Sequence, residues 1–79
     1  MAYKIRVQNS DYKFERSGFF GTGTDLKIYR NGVLYKECNF SDINGDNSLI
    51  NEGNYFKNMC EMWAGFEETR ISITGELNK

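Results

Sequence analysis

Two cysteines, eleven carboxylates and no histidine limit the chemistry available to this chain of 79 residues. Without an imidazole, neither Cys38 nor Cys60 has the usual base that turns a thiol into a nucleophile. Cys60 falls on the apolar side of a helical pattern and reads as a small buried hydrophobe. Glu67 and Glu68 are adjacent at an expected helix–strand junction, where neighbouring carboxylates are solvated loop charges rather than an acid–base pair. Asp42, Asn44 and Asp46 have the one-three-five spacing of a calcium loop. Position six is Asn47 where glycine is needed, and position twelve is Gly53 where a bidentate Glu is needed, so a helix-capping loop is expected instead. Gly18, Gly21 and Gly23 superficially resemble a phosphate-binding loop. Their order is wrong for a dinucleotide fingerprint and no helix follows to offer its N-terminus. The expectation is a chain without catalytic, metal or cofactor sites.

Charge is distributed unevenly. Residues 1–36 hold seven Lys/Arg and three Asp/Glu, whereas residues 37–79 hold three and eight, for a net charge of −1. A basic face for nucleic acid or an acidic surface for a basic partner would each follow, unless the patches cancel in space. In the nucleic-acid case Lys4, Arg6, Lys27, Arg30 and Lys36 would meet phosphates, with Tyr12 or Tyr29 stacking on bases.

The elements that must position these groups are legible as periodicities. The alternation from Ala2 to Gln8 and from Tyr12 to Arg16, around a turn at Asn9-Ser10-Asp11, predicts a hairpin. Asn31-Gly32 predicts a type I′ turn between Leu26–Arg30 and Val33–Phe40. It would pair Arg30 with Val33, Ile28 with Tyr35 and Leu26 with Glu37, placing Leu26, Ile28, Val33 and Tyr35 on the core face. The loop around Phe19 and Phe20 is expected to plug one end of the core. Asn47 to Phe66 has helical periodicity, with Gly65 as its stop. Leu49, Phe56, Cys60 and Trp63 form its core-facing arc. Tyr55, Met59, Met62 and Phe66 form a flank suited to a partner, two of them adaptable methionines. Thr69 to Leu77 alternates and predicts a final strand. The fold class is therefore α+β, a single small domain over residues 1–79. Its mainly antiparallel sheet has four to five strands (two hairpins, then helix, then strand), with one helix packed on a face. No apolar run is long enough to span a membrane. The opening residues do not form a signal peptide, and two cysteines outside any framework fit reduced thiols in the cytoplasm.

The stretch from Ile71 to Asn78, after the acidic pair Glu67-Glu68, resembles the tail of small phage-encoded anti-CRISPR proteins, inhibitors of Cas effectors. Chain length, Asn-rich composition and a small sheet with one helix are similar as well. The resemblance implies a non-enzymatic inhibitor that occupies a surface of a host defence complex in the host cytoplasm. This chain is nearly neutral where DNA-mimicking inhibitors are strongly acidic, so steric blocking is expected rather than mimicry. The partner-binding residues would be Tyr55, Met59, Met62, Phe66, Glu67 and Glu68. A small nucleic-acid-binding module and a homo-oligomeric phage structural or assembly protein are the alternatives. The inhibitor reading expects no appreciable nucleic-acid binding by the isolated protein.

Overall fold

A computed structural model describes residues 2–17 and 25–75. Strands β1 (Ala2–Val7), β2 (Ser10–Ser17), β3 (Asp25–Arg30) and β4 (Val33–Asn39) form an antiparallel sheet in the order of the chain. Two 3-10 turns follow, Phe40–Ile43 and Asn47–Leu49, and then helix α1 (Tyr55–Thr74). The fold is α+β, as the periodicities predict, and the helix lies over one sheet face.

The period-two pattern decides which side chains face that helix. Tyr3, Ile5 and Val7 of β1 are half-buried while Ala2, Lys4 and Arg6 are exposed. Across from them Tyr12 and Phe14 of β2 and Leu26 and Ile28 of β3 are buried. The first turn is Gln8-Asn9 rather than residues 9–11, with Gln8 at φ 56°, so Ser10 and Asp11 already belong to β2. The second turn is Asn31-Gly32, as expected, and both residues have the positive φ a type I′ turn demands, 54° and 84°.

Beyond that turn the expected register holds through two residue pairs, Arg30–Val33 and Tyr29–Leu34. A bulge near Ile28 and Tyr29 then shifts β4, so Ile28 meets Lys36 and Leu26 meets Cys38. Tyr35 is the residue left over. It still reaches the helix, where its ring lies 6.4 Å from that of Trp63, but Val33 at the turn is 68% exposed and is not core. A two-residue loop fixes the register at its own end; a bulge farther along is invisible to it.

The helix is shifted along the chain relative to the expected span. Residues 47–49 form a 3-10 turn, and Gly53 at φ 50° interrupts any continuous helix before Asn54. Leu49 is therefore 40% exposed and leaves the core arc. At the other end Gly65 does not stop the helix, which runs on to Thr74 and is capped by Gly75 at φ 67°. The expected strand from Thr69 to Leu77 is corrected accordingly: 69–74 are the last helical turns, and 76–77 lie outside the described residues. Phe56, Cys60, Ala64 and Glu68, each four residues after the last, form the buried stripe of α1. Beside that stripe Trp63 meets Tyr12 and Phe14 edge-on, and those two rings stack on each other. Phe40, Ile43 and Ile50 from the connecting segment close one end of the core. A Cβ at Gly45 would lie 2.3 Å from the Phe40 ring, so only glycine lets the loop fold over it. Phe19 and Phe20, the expected plug, lie outside the described residues.

Candidate protein-docking surface

The outward pole of α1 carries apolar side chains that nothing described covers. Taking Met62 as zero and about 100° per residue, Phe66, Thr69 and Ile73 fall within about 40° of it, while Cys60 and Ala64 lie about 160° away. Met62 is 54% exposed, Phe66 69% and Ile73 78%. At about 1.5 Å per residue the stripe runs about 16 Å along the helix. Isolated exposed apolar residues are ordinary on a small protein; a stripe of large ones aligned on one helix is the kind of patch that marks an interface.

The expected flank therefore divides. Met62 and Phe66 are open to solvent. Met59 packs against the core, and Tyr55 stands edge-on to Phe40 at 6.0 Å and accepts a hydrogen bond from the Asp46 amide at 2.9 Å. Ile73, read as part of a strand, joins the stripe because the helix continues.

Glu67 and Glu68 are not loop charges. Both sit on α1 and tie it to the sheet. Glu67 accepts from the Tyr35 hydroxyl and from Arg70 at 2.5 Å. Burial pushes its carboxyl up, but Arg70 and Tyr35 more than offset this and hold it below the usual range. Glu68 is buried. Its Oε2 accepts from Arg30 Nε at 2.8 Å and from the Tyr12 hydroxyl; its Oε1 accepts from Ser10 Oγ at 3.0 Å and Arg30 Nη2 at 3.2 Å. The bond from Arg30 is the main reason its carboxyl is held low, against the opposing effect of burial. Burial raises the Tyr12 phenol and the Glu68 charge raises it further. Four donors on two oxygens leave an ionised carboxylate with little room to take a proton from a substrate, so this cluster is a clamp between helix and sheet. Sequence reasoning missed it, although the spacing Phe56, Cys60, Ala64, Glu68 was available to any reading that let the helix pass Gly65.

The other candidate chemistry is placed as follows. Burial pushes the Cys60 thiol up to about 12, and burial also raises Cys38; both are free thiols. Asp42 accepts the Asn39 amide at 2.9 Å and Asp46 accepts the Ser48 amide at 2.9 Å, so the calcium-like spacing serves two 3-10 turns. No cluster of potential metal ligands occurs among the described residues. The glycine stretch 18–23 lies outside them. Of the residues considered for nucleic acid, Lys4, Lys27 and Tyr29 stand on the sheet face away from α1 with Arg6, whereas Arg30 and Tyr12 are engaged by Glu68 beneath the helix. No helix of the described residues is long and apolar enough to cross a membrane. Comparison with protein-family models, with curated proteins and with solved structures finds no match for this chain.

Proposed function

We propose that this chain is a non-enzymatic protein-binding inhibitor that docks through the outward stripe of α1. The observation that carries the reading is the alignment of Met62, Phe66 and Ile73 on the pole opposite the core. Helix-in-groove recognition uses such a ridge, with anchors one turn apart entering an apolar groove of the partner. The reverse side of the same helix is packed and clamped, so docking has little backbone left to order. The finer reading, phage counter-defence by steric blocking of a Cas effector in the host cytoplasm, is supported by the resemblance of the tail and by the compact size.

The test is to titrate the protein into target cleavage by a panel of purified Cas effector complexes and to repeat the titration with Met62→Asp and Phe66→Asp. Both variants should keep the wild-type melting midpoint within a few degrees, since exposed changes alter stability by less than about 0.5 kcal/mol. Each should weaken inhibition at least about tenfold, as anchors do. Undiminished inhibition by both variants would place the interface elsewhere. Absence of inhibition across the panel would remove the effector reading.

A further inference from the structure

The face of the sheet turned away from α1 has its own organisation. Strand pairing sets one row across all four strands: Lys4 opposite Lys13, Lys13 opposite Tyr29, Tyr29 opposite Leu34. The Lys13 ammonium lies 4.5 Å from the Tyr29 ring centroid. The next row places Arg6 opposite Asp11, paired at 2.7 Å in an exposed contact that costs little to open. Lys27 lies in the row on the other side of Tyr29, between Glu15 and Glu37. Lys4, Arg6, Asp11, Lys13, Tyr29 and Gly32 line a shallow concavity of about 540 Å³.

Like charges directly opposite on adjacent strands destabilise a sheet. Lys4 and Lys13 occupy that arrangement beside an aromatic ring, with a third cation one row away. An anion between the two ammoniums relieves the repulsion. A planar group on Tyr29 takes the ring face that the Lys13 ammonium now covers, freeing that ammonium for the anion. Neighbouring strands stand about 4.8 Å apart, so an anion on Lys4 and Lys13 and a ring on Tyr29 fall within one or two repeats of a flexible chain. Alternating phosphates and bases supply both groups; an acidic peptide supplies only the first. We infer that this face binds single-stranded nucleic acid, with Lys4, Lys13 and Arg6 on phosphates and a base stacked on Tyr29.

The inference goes beyond the docking function and does not depend on it, because it uses the opposite side of the molecule. It departs from the expectation of no appreciable binding by the isolated protein. Lys4, Arg6, Lys13 and Lys27 share this face with Asp11, Glu15 and Glu37, so among these residues the cations are in slight excess although the chain as a whole is near neutral. Lys13 was not among the cations considered from sequence, and Arg30, which was, is withdrawn into the clamp.

Fluorescence anisotropy of a 5′-labelled dT12 strand, titrated with the full chain at 50 and 200 mM salt, tests it. Saturable binding at 50 mM is expected. The logarithm of affinity should fall against the logarithm of salt with a slope of about −2 for three phosphate contacts on a single strand. Lys4→Gln and Lys13→Gln should each weaken binding and make the slope shallower by about 0.7. Tyr29→Ala should weaken binding about tenfold with the slope unchanged, the mark of lost stacking. Circular dichroism melts of the three variants establish that they fold. Absence of binding at 50 mM, an unaffected Tyr29→Ala, or equal displacement of the strand by polyglutamate would each overturn the inference.

Discussion

A carboxylate keeps its charge inside a small protein only where protein donors replace the water molecules that donated to its lone pairs. Glu68 meets this condition through Arg30, Tyr12 and Ser10, and Arg30 Nη2 in turn donates to Ser10 Oγ at 2.8 Å, so the four side chains form one closed set. Breaking one member is costlier than the set's net contribution, because the remaining charge stays buried. Removing one partner of such a pair costs about 3–5 kcal/mol. Against a total stability of about 4–12 kcal/mol for a chain of this length, Glu68→Gln should leave the protein marginal. Urea denaturation is expected to show a midpoint far below wild type. Replacing both charges, Glu68→Leu with Arg30→Met, should recover much of the loss, since apolar pairs of similar volume substitute well for buried ions. A single variant that melts like wild type would mean that the clamp opens to water and carries no energy. From sequence this residue was misplaced by one decision, taking Gly65 as the end of the helix. Once that is made, Glu68 leaves the four-residue stripe and becomes a loop charge, and Arg30 becomes a free cation. Neither error is chemical; both follow from a wrong boundary.

At the scale of elements, the hairpins were the most legible part because their signals are local. Alternation in residues 2–7 and 12–16 and the Asn31-Gly32 dipeptide name the strands and one turn without reference to the rest of the chain. The helix was legible in its middle and illegible at both ends. Its first expected turns, through Leu49, are taken by a 3-10 turn and by the left-handed Gly53. Its last turns hold Thr69, Ile71, Ile73 and Thr74, β-branched residues whose χ1 freedom is restricted in a helix. Their alternation imitates a strand, and only tertiary contacts decide for helix. Gly65 sits inside that helix with nothing within 4 Å of an added Cβ and without positive φ. It is a mid-helix glycine in open space. Gly65→Ala should therefore stabilise the protein by about 0.5–1 kcal/mol through helix propensity and a less flexible unfolded chain. Thermal or urea melts will show the gain. A loss of stability would mean that the backbone at 65 needs glycine after all, as the reading of Gly65 as a stop supposed.

At the scale of the whole molecule, a 20-residue helix is held to a short sheet by two different kinds of contact. Residues 56–64 are held by apolar burial against Tyr12, Phe14 and Phe40 and their neighbours, which does not respond to acid. Residues 67–74 are held by polar contacts, the Glu68 clamp and the Tyr35–Glu67–Arg70 set, and the helix itself ends on Gly75, whose amide donates to the Ile71 carbonyl at 2.7 Å. Both carboxyls have folded pKa values below the ordinary one, Glu67 despite its burial and Glu68 chiefly through Arg30. Depressed carboxyl pKa values add stability that is complete above the unfolded range and is lost as pH falls through the folded values. The window therefore lies below about pH 5. Arg30, Tyr12 and Tyr35 do not titrate there, so protonating Glu68 leaves a buried guanidinium without its counter-charge. With its anchors gone, a stretch of β-branched residues has little intrinsic reason to stay helical. The expected outcome is a helix that opens from its C-terminal end on acidification, before the sheet gives way. Hydrogen exchange followed by mass spectrometry, corrected for intrinsic rates, should show protection of amides 70–75 falling between pH 6 and about pH 3 while amides 58–64 stay protected. Loss of protection in both halves together would make helix and sheet a single cooperative unit. Unchanged protection in 70–75 would mean that packing, not the two carboxylates, decides the fate of this segment. In the expected case the same acidification removes Ile73 from the outward stripe, so the docking ridge shortens from its end while Met62 and Phe66 remain in place.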